Sequence, residues 1–332
     1  MKAEILSLLQ EIRDELDKDY KHISLASNKK NFNRCYSAIY LIEDIEESFE
    51  YYKSCNNDDF SLAAKYLMIY GIFEALYMQQ CALSDLYIAL NYPEIDYTKN
   101  HSDIDKIRIV RNDIAGHPTC RKGKYSTYLS RPDLSLSQIR YEETDEDKFI
   151  DFNIMENLQI QEDFVKTKLL ELLNFLEKER QEHVNTFKDI ELEDCFKMLV
   201  YANGKIYSKG AFYIQDDDLG FKLVKDMIDG FKVKLNERFK NWEKLHFSYE
   251  IKQVEEIYNY LISNPQIINE TEEDSTFLKI NLLENMFNHL KNLRDIAKEI
   301  DQSYQYNLND FWPEDNNTRP IDINKDFSGL NI

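Results

Sequence analysis

Two side chains near the middle of the chain have the chemistry for work on an anionic group: Arg111 and His117, in the run RNDIAGHPT with Asn112 directly after the arginine. A guanidinium is charged at every physiological pH and presents a planar fork of donors, whereas an imidazole gains and loses a proton near neutrality. The pair therefore offers charge stabilisation and proton transfer at one place, provided the chain brings the two groups together.

The stretch that must do so runs from His101 to Arg121 and has the marks of a helix. Ser102, with Asp105 three residues on, forms a cap signal for the free N–H groups of a first turn. Ile104, Ile107, Val110 and Ile114 recur at helical spacing, so their stripe should face a core. Gly116 and Pro118 mark the stop, because glycine accepts the left-handed cap conformation and proline cannot continue the ladder. Arg111 falls in line with the apolar stripe, where a guanidinium needs a partner or an opening onto a cleft. On an unbroken helix six residues turn through about 600°, which puts Arg111 and His117 on different faces; the break at Gly116 lets the imidazole turn back. Against this stands a plainer reading, in which Arg111 reaches solvent or a neighbouring helix and His117 only caps the helix C-terminus. For a partner the sequence offers Glu74, in the row Tyr70, Glu74, Tyr77, Cys81 of a long apolar helix read over Leu62–Leu90. Glu74 facing solvent, or pairing with a different cation, is the equal alternative.

Arg111, Asn112 and His117 in RNDIAGH resemble the arginine, polar residue and histidine signature of HEPN domains, a name that stands for higher eukaryotes and prokaryotes nucleotide-binding. The motif ends a late helix behind the long helix YLMIYGIFEALYMQQCALSDLYIAL, and its GHPT continuation is similar to that of a group of bacterial HEPN-like proteins. The resemblance covers about residues 30 to 183. It implies a helical bundle that dimerises, with the arginine and histidine in a cleft between protomers, and a metal-independent endoribonuclease. In that chemistry the ribose 2′-hydroxyl is the internal nucleophile. His117 would be the general acid or base, Arg111 would stabilise charge on the scissile phosphate, and Asn112 would orient the phosphate or the imidazole. No cofactor and no metal are expected, and DNA should be spared. The same resemblance implies a toxin-like role in stress or antiviral defence. One HEPN subgroup, the toxins paired with nucleotidyltransferase antitoxins, carries tyrosine two positions after the histidine; Thr119 stands there in this chain, which argues against that pairing.

Composition sets the frame. With only 8 Gly and 6 Pro in 332 residues, 43% hydrophobic and 31% charged, the chain should be mostly helices joined by short polar turns. No Gly-rich phosphate loop is present, which disfavours a Walker-type or dinucleotide-binding enzyme. Cys35, Cys55, Cys81, Cys120 and Cys195 are isolated and read as reduced thiols rather than zinc ligands. The charged stretch MKAEILSLLQEIRDEL lacks the apolar core of a signal peptide, and no segment is apolar enough to span a membrane, so a cytoplasmic location is expected. A net charge of −20 repels nucleic acid on average. Between His101 and Arg140, however, eight basic residues stand against four acidic ones. Arg108, Arg121, Lys122 and Lys124 are therefore candidate substrate-binding residues, although bases near a helix C-terminus also complement its dipole.

The expected fold is predominantly all-α. Residues 1–183 should form the HEPN-like bundle, with helices at about Ala3–Tyr20, Asn31–Lys53, Leu62–Leu90 and Met155–Gln181. A short β-hairpin is inserted at about 124–142, with strands at Tyr125–Ser130 and Leu134–Tyr141, and the acidic run EETDED ends it. Residues 184–306 should be a second helical region, with helices at about Leu192–Ala202, Phe221–Phe239, Tyr249–Ile262 and Phe277–Ile300, the last capped by Thr271 with Asp274. Residues 307–332 read as a polar tail. No catalytic constellation is evident in the second half: His183, His246 and His289 are scattered, and Asp216 to Asp218 read as a helix-capping run. The expected function is cleavage of RNA by a homodimer. The alternative is a non-catalytic, dimeric nucleotide-binding or protein-interaction module, whose acidic C-terminal half fits a surface for a protein regulator or an autoinhibitory nucleic-acid mimic; a third reading is an acidic helical protein unrelated to HEPN domains.

Overall fold

The computed structural model describes residues 1–116, 126–144, 148–208, 219–239, 242–245, 247–264 and 273–305. Among them are eleven helices and one three-stranded sheet, a predominantly all-α fold. The chain divides into two compact units, residues 1–17 with 25–178 and residues 18–24 with 179–332.

In chain order the elements are α1 (Lys2–Leu16), α2 (Asp19–Ala26), α3 (Lys29–Ser54), α4 (Leu62–Ala89), the one-turn α5 (Tyr97–Asn100), α6 (Ser102–Arg111), β1 (Thr127–Leu129), β2 (Gln138–Glu143), β3 (Lys148–Asn153) and the long α7 (Ile154–Phe187), all in the first unit except residues 19–24 of α2 and the C-terminal part of α7. Each long helix buries one stripe. Ile5, Leu9 and Ile12 of α1, Ile39 and Ile42 of α3, Leu83 and Leu86 of α4, and Val165, Leu169 and Leu172 of α7 close one core. Phe49, Phe73, Ile107, Val110, Ile139, Tyr141 and Phe152 join α3, α4, α6 and the sheet into a second. Each such side chain contributes about 1.5–3 kcal/mol on burial, before the entropy of ordering it.

Side chains and turn residues set the helix ends. Asn28 accepts from the Asn31 N–H at 3.2 Å and Ser61 from the Ala64 N–H at 3.3 Å, starting α3 and α4. α4 stops in a Schellman motif. Asn91 takes the left-handed conformation at φ 57, its N–H reaches the Ile88 carbonyl at 3.2 Å, and the Tyr92 N–H reaches the Tyr87 carbonyl at 2.9 Å.

Several expectations need correction. The helix expected over Ala3–Tyr20 is two helices, α1 ending at Leu16 and α2 starting at Asp19, with no glycine or proline to mark the break. The cap expected at Ser102 is displaced: Ser102 is already helical, His101 holds the cap position without a side-chain bond, and Asp96 caps α5 just upstream through the Thr98 and Lys99 N–H groups. The hairpin is a three-stranded antiparallel sheet in the order β1-β2-β3. Its second strand begins at Gln138 rather than Leu134, and Glu142 and Glu143 of the acidic run belong to β2, with β3 following from Lys148, so the run does not end the excursion. The third strand, KFIDFN, pays its way by putting Phe152 opposite Ile139 and against Phe73, ring centroids 5.4 Å apart. α4 is apolar on every side, yet it is not wholly enclosed: Leu67, Tyr70 and Met78 are exposed on one face.

The second unit holds the C-terminal part of α7 with α8 (Leu199–Ser208), α9 (Leu219–Arg238), α10 (Ser248–Ser263) and α11 (Glu273–Gln305) around Leu192, Phe196, Val224, Phe231, Ile251 and Leu290. The helix expected over Leu192–Ala202 is a 3₁₀ turn, Glu193–Phe196, followed by α8. Buried Arg238 pairs with Asp301 at 2.9 Å and donates to the carbonyls of Phe187 and Ile190, its Nε has no acceptor among the described residues, and it lies over the Tyr304 ring. His183 shares a 2.7 Å hydrogen bond with the Tyr304 hydroxyl and stacks on Tyr20. Asp216 to Asp218, His246, Thr271 and the tail lie outside the described residues. No described helix is long and apolar enough to cross a membrane.

Candidate functional site

The site is built on the end of α6. Ile104, Ile107 and Val110 anchor that helix to the core, which carries Arg111 to its last turn with a side chain 18% exposed. Arg111 Nη2 contacts both carboxylate oxygens of Glu74 on α4, at 2.7 and 2.8 Å. Nη1 donates to Asn112 Oδ1 at 2.9 Å, and the guanidinium carbon lies 4.5 Å from the centre of the Tyr77 ring. Nε is buried and has no acceptor among the described residues. Both terminal nitrogens of the guanidinium are thus engaged, Nη2 by Glu74 and Nη1 by Asn112, and its face by an aromatic ring.

After Arg111 the chain does not stop but widens into a π-type turn, Asn112–Gly116. Such turns are uncommon and recur at functional sites. This one is held on the sheet side: Thr127 donates its hydroxyl proton to the Asp113 carbonyl, and the Tyr141 hydroxyl lies 3.4 Å from the buried Asp113 carboxylate. Gly116 is not in the left-handed conformation expected of a cap glycine. Its role is close approach, since a Cβ there would lie 2.9 Å from Arg111 Nη1 and 3.2 Å from Asn112 Oδ1. Any larger residue would push on the guanidinium.

Arg108, one turn before Arg111 on α6, has no carboxylate partner among the described residues and lies between the Tyr97 and Tyr77 rings, at 4.6 and 5.3 Å. His117, Arg121, Lys122 and Lys124 lie outside the described residues, and so does Cys120. The structure therefore brings together Arg111, Asn112, Glu74 and Arg108. Tyr97 and Asp113 went unread in the sequence, where Tyr77 reads only as a member of the Glu74 row, without a role. The role of Tyr77 could have been found, since it stands three residues after Glu74 on the same helix face, whereas that of Asp113 could not, because a carboxylate beside a polar motif reads as exposed.

A second polar constellation crosses the bundle interior. Gln79 donates to Glu46 at 2.6 Å, Gln161 to Gln79 at 3.0 Å, and Gln80 to Gln161 at 2.9 Å, all four fully buried, while Lys53 pairs with buried Glu162 at 2.5 Å. Burial, reinforced by the Glu162 charge and opposed by the Gln79 hydrogen bond and Lys53, pushes the Glu46 carboxyl up to about 7. Among the described residues no three histidine, cysteine or acidic side chains are grouped to hold a metal ion. No protein-family model, curated protein or solved structure matches the chain.

Proposed function

We propose that the chain is a metal-independent endoribonuclease of HEPN type, acting as a two-fold dimer. The observation that supports it most is the guanidinium of Arg111, immobilised by Glu74, Asn112 and Tyr77 at a π-type turn with a glycine against it. Fixing a cation in place before substrate arrives is what electrostatic stabilisation of a phosphodiester transition state needs, because no reorganisation is then required during reaction. In this reading His117 moves the proton, Arg111 stabilises the developing charge, Asn112 holds the guanidinium toward the phosphate, and Arg121, Lys122 and Lys124 steer RNA. The exposed stripe Leu67, Tyr70 and Met78 shares one face of α4 with Glu74, so a second protomer seated there would bring the two Arg111 centres toward each other. Total RNA incubated with the native protein in excess chelator should be cut, and His117→Ala should cut about 10² or more times slower. Full activity in His117→Ala would remove the reading.

A second reading, the non-catalytic interaction module, is favoured by one specific observation. Glu74 already neutralises Arg111, as it would in a purely structural ion pair. Equal RNA integrity with native and His117→Ala protein, together with dimer formation, selects it.

A further inference from the structure

Arg108 is set in the fold unlike most of the described arginines. Arg13, Arg34, Arg111, Arg140, Arg238 and Arg294 each face a carboxylate at 2.5 to 2.9 Å. With 61 acidic residues against 41 basic ones, carboxylates are not scarce in this chain. Arg108 nevertheless has none among the described residues and is held by aromatic faces instead. The Tyr97 ring is itself fixed: it is buried, its hydroxyl donates to the Gln80 carbonyl at 2.8 Å, and Ser84 lies 3.0 Å from that hydroxyl. Tyr77 carries the Arg111 guanidinium as well, so one ring links both cations.

Stacking occupies the faces of a guanidinium and leaves its in-plane N–H groups available, in the fork geometry that suits phosphate. It also removes the rotamer freedom that a surface arginine would otherwise lose on binding. Arg111 has its charge offset by Glu74, so the two arginines and Glu74 together leave one positive charge, and it belongs to Arg108. We propose that Arg108 is a preorganised phosphate anchor, which binds a phosphodiester of single-stranded RNA in the ground state while Arg111 acts on the transition state. The identity of the ligand as RNA rests on the ribonuclease reading; the anchor does not.

The test uses the full chain and a 2′-O-methyl oligoribonucleotide, which can bind but not be cut, followed by fluorescence anisotropy over a range of salt. Arg108→Met keeps an apolar stem against both rings and removes the charge, and Arg108→Lys restores charge without the planar fork. Arg108→Met should weaken binding about tenfold or more and lower the slope of log Kd against log salt by about 0.7, the share of one phosphate contact on a single strand. Arg108→Lys should recover the slope and only part of the affinity. With a cleavable RNA, KM should rise by a larger factor in Arg108→Met than kcat falls. Arg108-dependent binding of millimolar inorganic phosphate, read by calorimetry, with no binding of the oligonucleotide would reassign the anchor to a free phosphate and overturn RNA as its ligand. Arg108-dependent binding without any cleavage by the native protein would remove the ribonuclease reading and leave the anchor standing. A native affinity and salt slope in Arg108→Met, with unchanged thermal melting, would overturn the proposal, as would failure of the native protein to bind either ligand.

Discussion

At the scale of single residues, the arrangement around Arg111 makes its function and its stability separable. The carboxylate of Glu74 is 41% exposed, so removing Arg111 leaves an anion that water can reach, not a buried charge. Arg111→Ala should therefore cost only about 1 kcal/mol by denaturant unfolding while abolishing the proposed RNA cleavage, and the cost of Glu74→Ala/Arg111→Ala should fall short of the sum of the two single costs by about 0.5–1 kcal/mol. Gly116→Ala should spare stability and still impair the proposed cleavage, because its Cβ would displace the guanidinium by pressing on Nη1. Strictly additive costs in the double variant would mean that Glu74 does not hold Arg111 in solution.

At the scale of elements, the packing of α3, α4 and α7 carries a price in its polar ladder. Glu46 has a folded pKa near 7 against an ordinary value of 4.5, so the folded state holds the proton more tightly than the unfolded one. Stability from this group is then fully present below pH 4.5 and is lost as pH rises through 7, a difference of about 3 kcal/mol. His183 works in the opposite direction. Burial, with the Arg238 charge beside it, lowers its pKa from 6.5 to about 4, so its contribution is present above pH 6.5 and lost as pH falls through 4. Hydrogen exchange followed from pH 8 to pH 5 should thus show α3 and α4 becoming more protected while α9 and α11 become less so. Glu46→Gln should raise stability at pH 8 by about 1–3 kcal/mol and flatten the response of the first unit. A Glu46→Gln protein as pH-dependent as the parent would place the titrating group elsewhere.

For the whole molecule, the open question of assembly turns on α4. Leu67 is 74% exposed on a helix whose other faces are core, and Tyr70 and Met78 extend the same stripe. Exposed apolar stripes of this kind mark association surfaces. Light scattering at micromolar concentration should give twice the 39.6 kDa chain mass, and Leu67→Asp should return the single-chain mass with an unchanged helical signal. A single-chain mass for the native protein would count against dimerisation through this face.

Helix type and order were written in the chain because apolar spacing, cap residues and the scarcity of Gly and Pro are local properties; α4, α9 and α10 lie within one or two residues of where those signals put them. The third strand was not legible, because a six-residue run beside acidic residues earns its β conformation only from Ile139 and Phe73 across the fold. The same division runs through the site. The residue types for phosphate chemistry are plain in RNDIAGH, and the candidate carboxylate was visible on a neighbouring helix, but registry between two helices is a property of their packing. Only the tertiary structure decided that Glu74, Tyr77 and Tyr97 meet α6 at Arg111 and Arg108, since those side chains lie 11 to 37 residues away along the chain, and that Gly116 serves close approach rather than a helix cap.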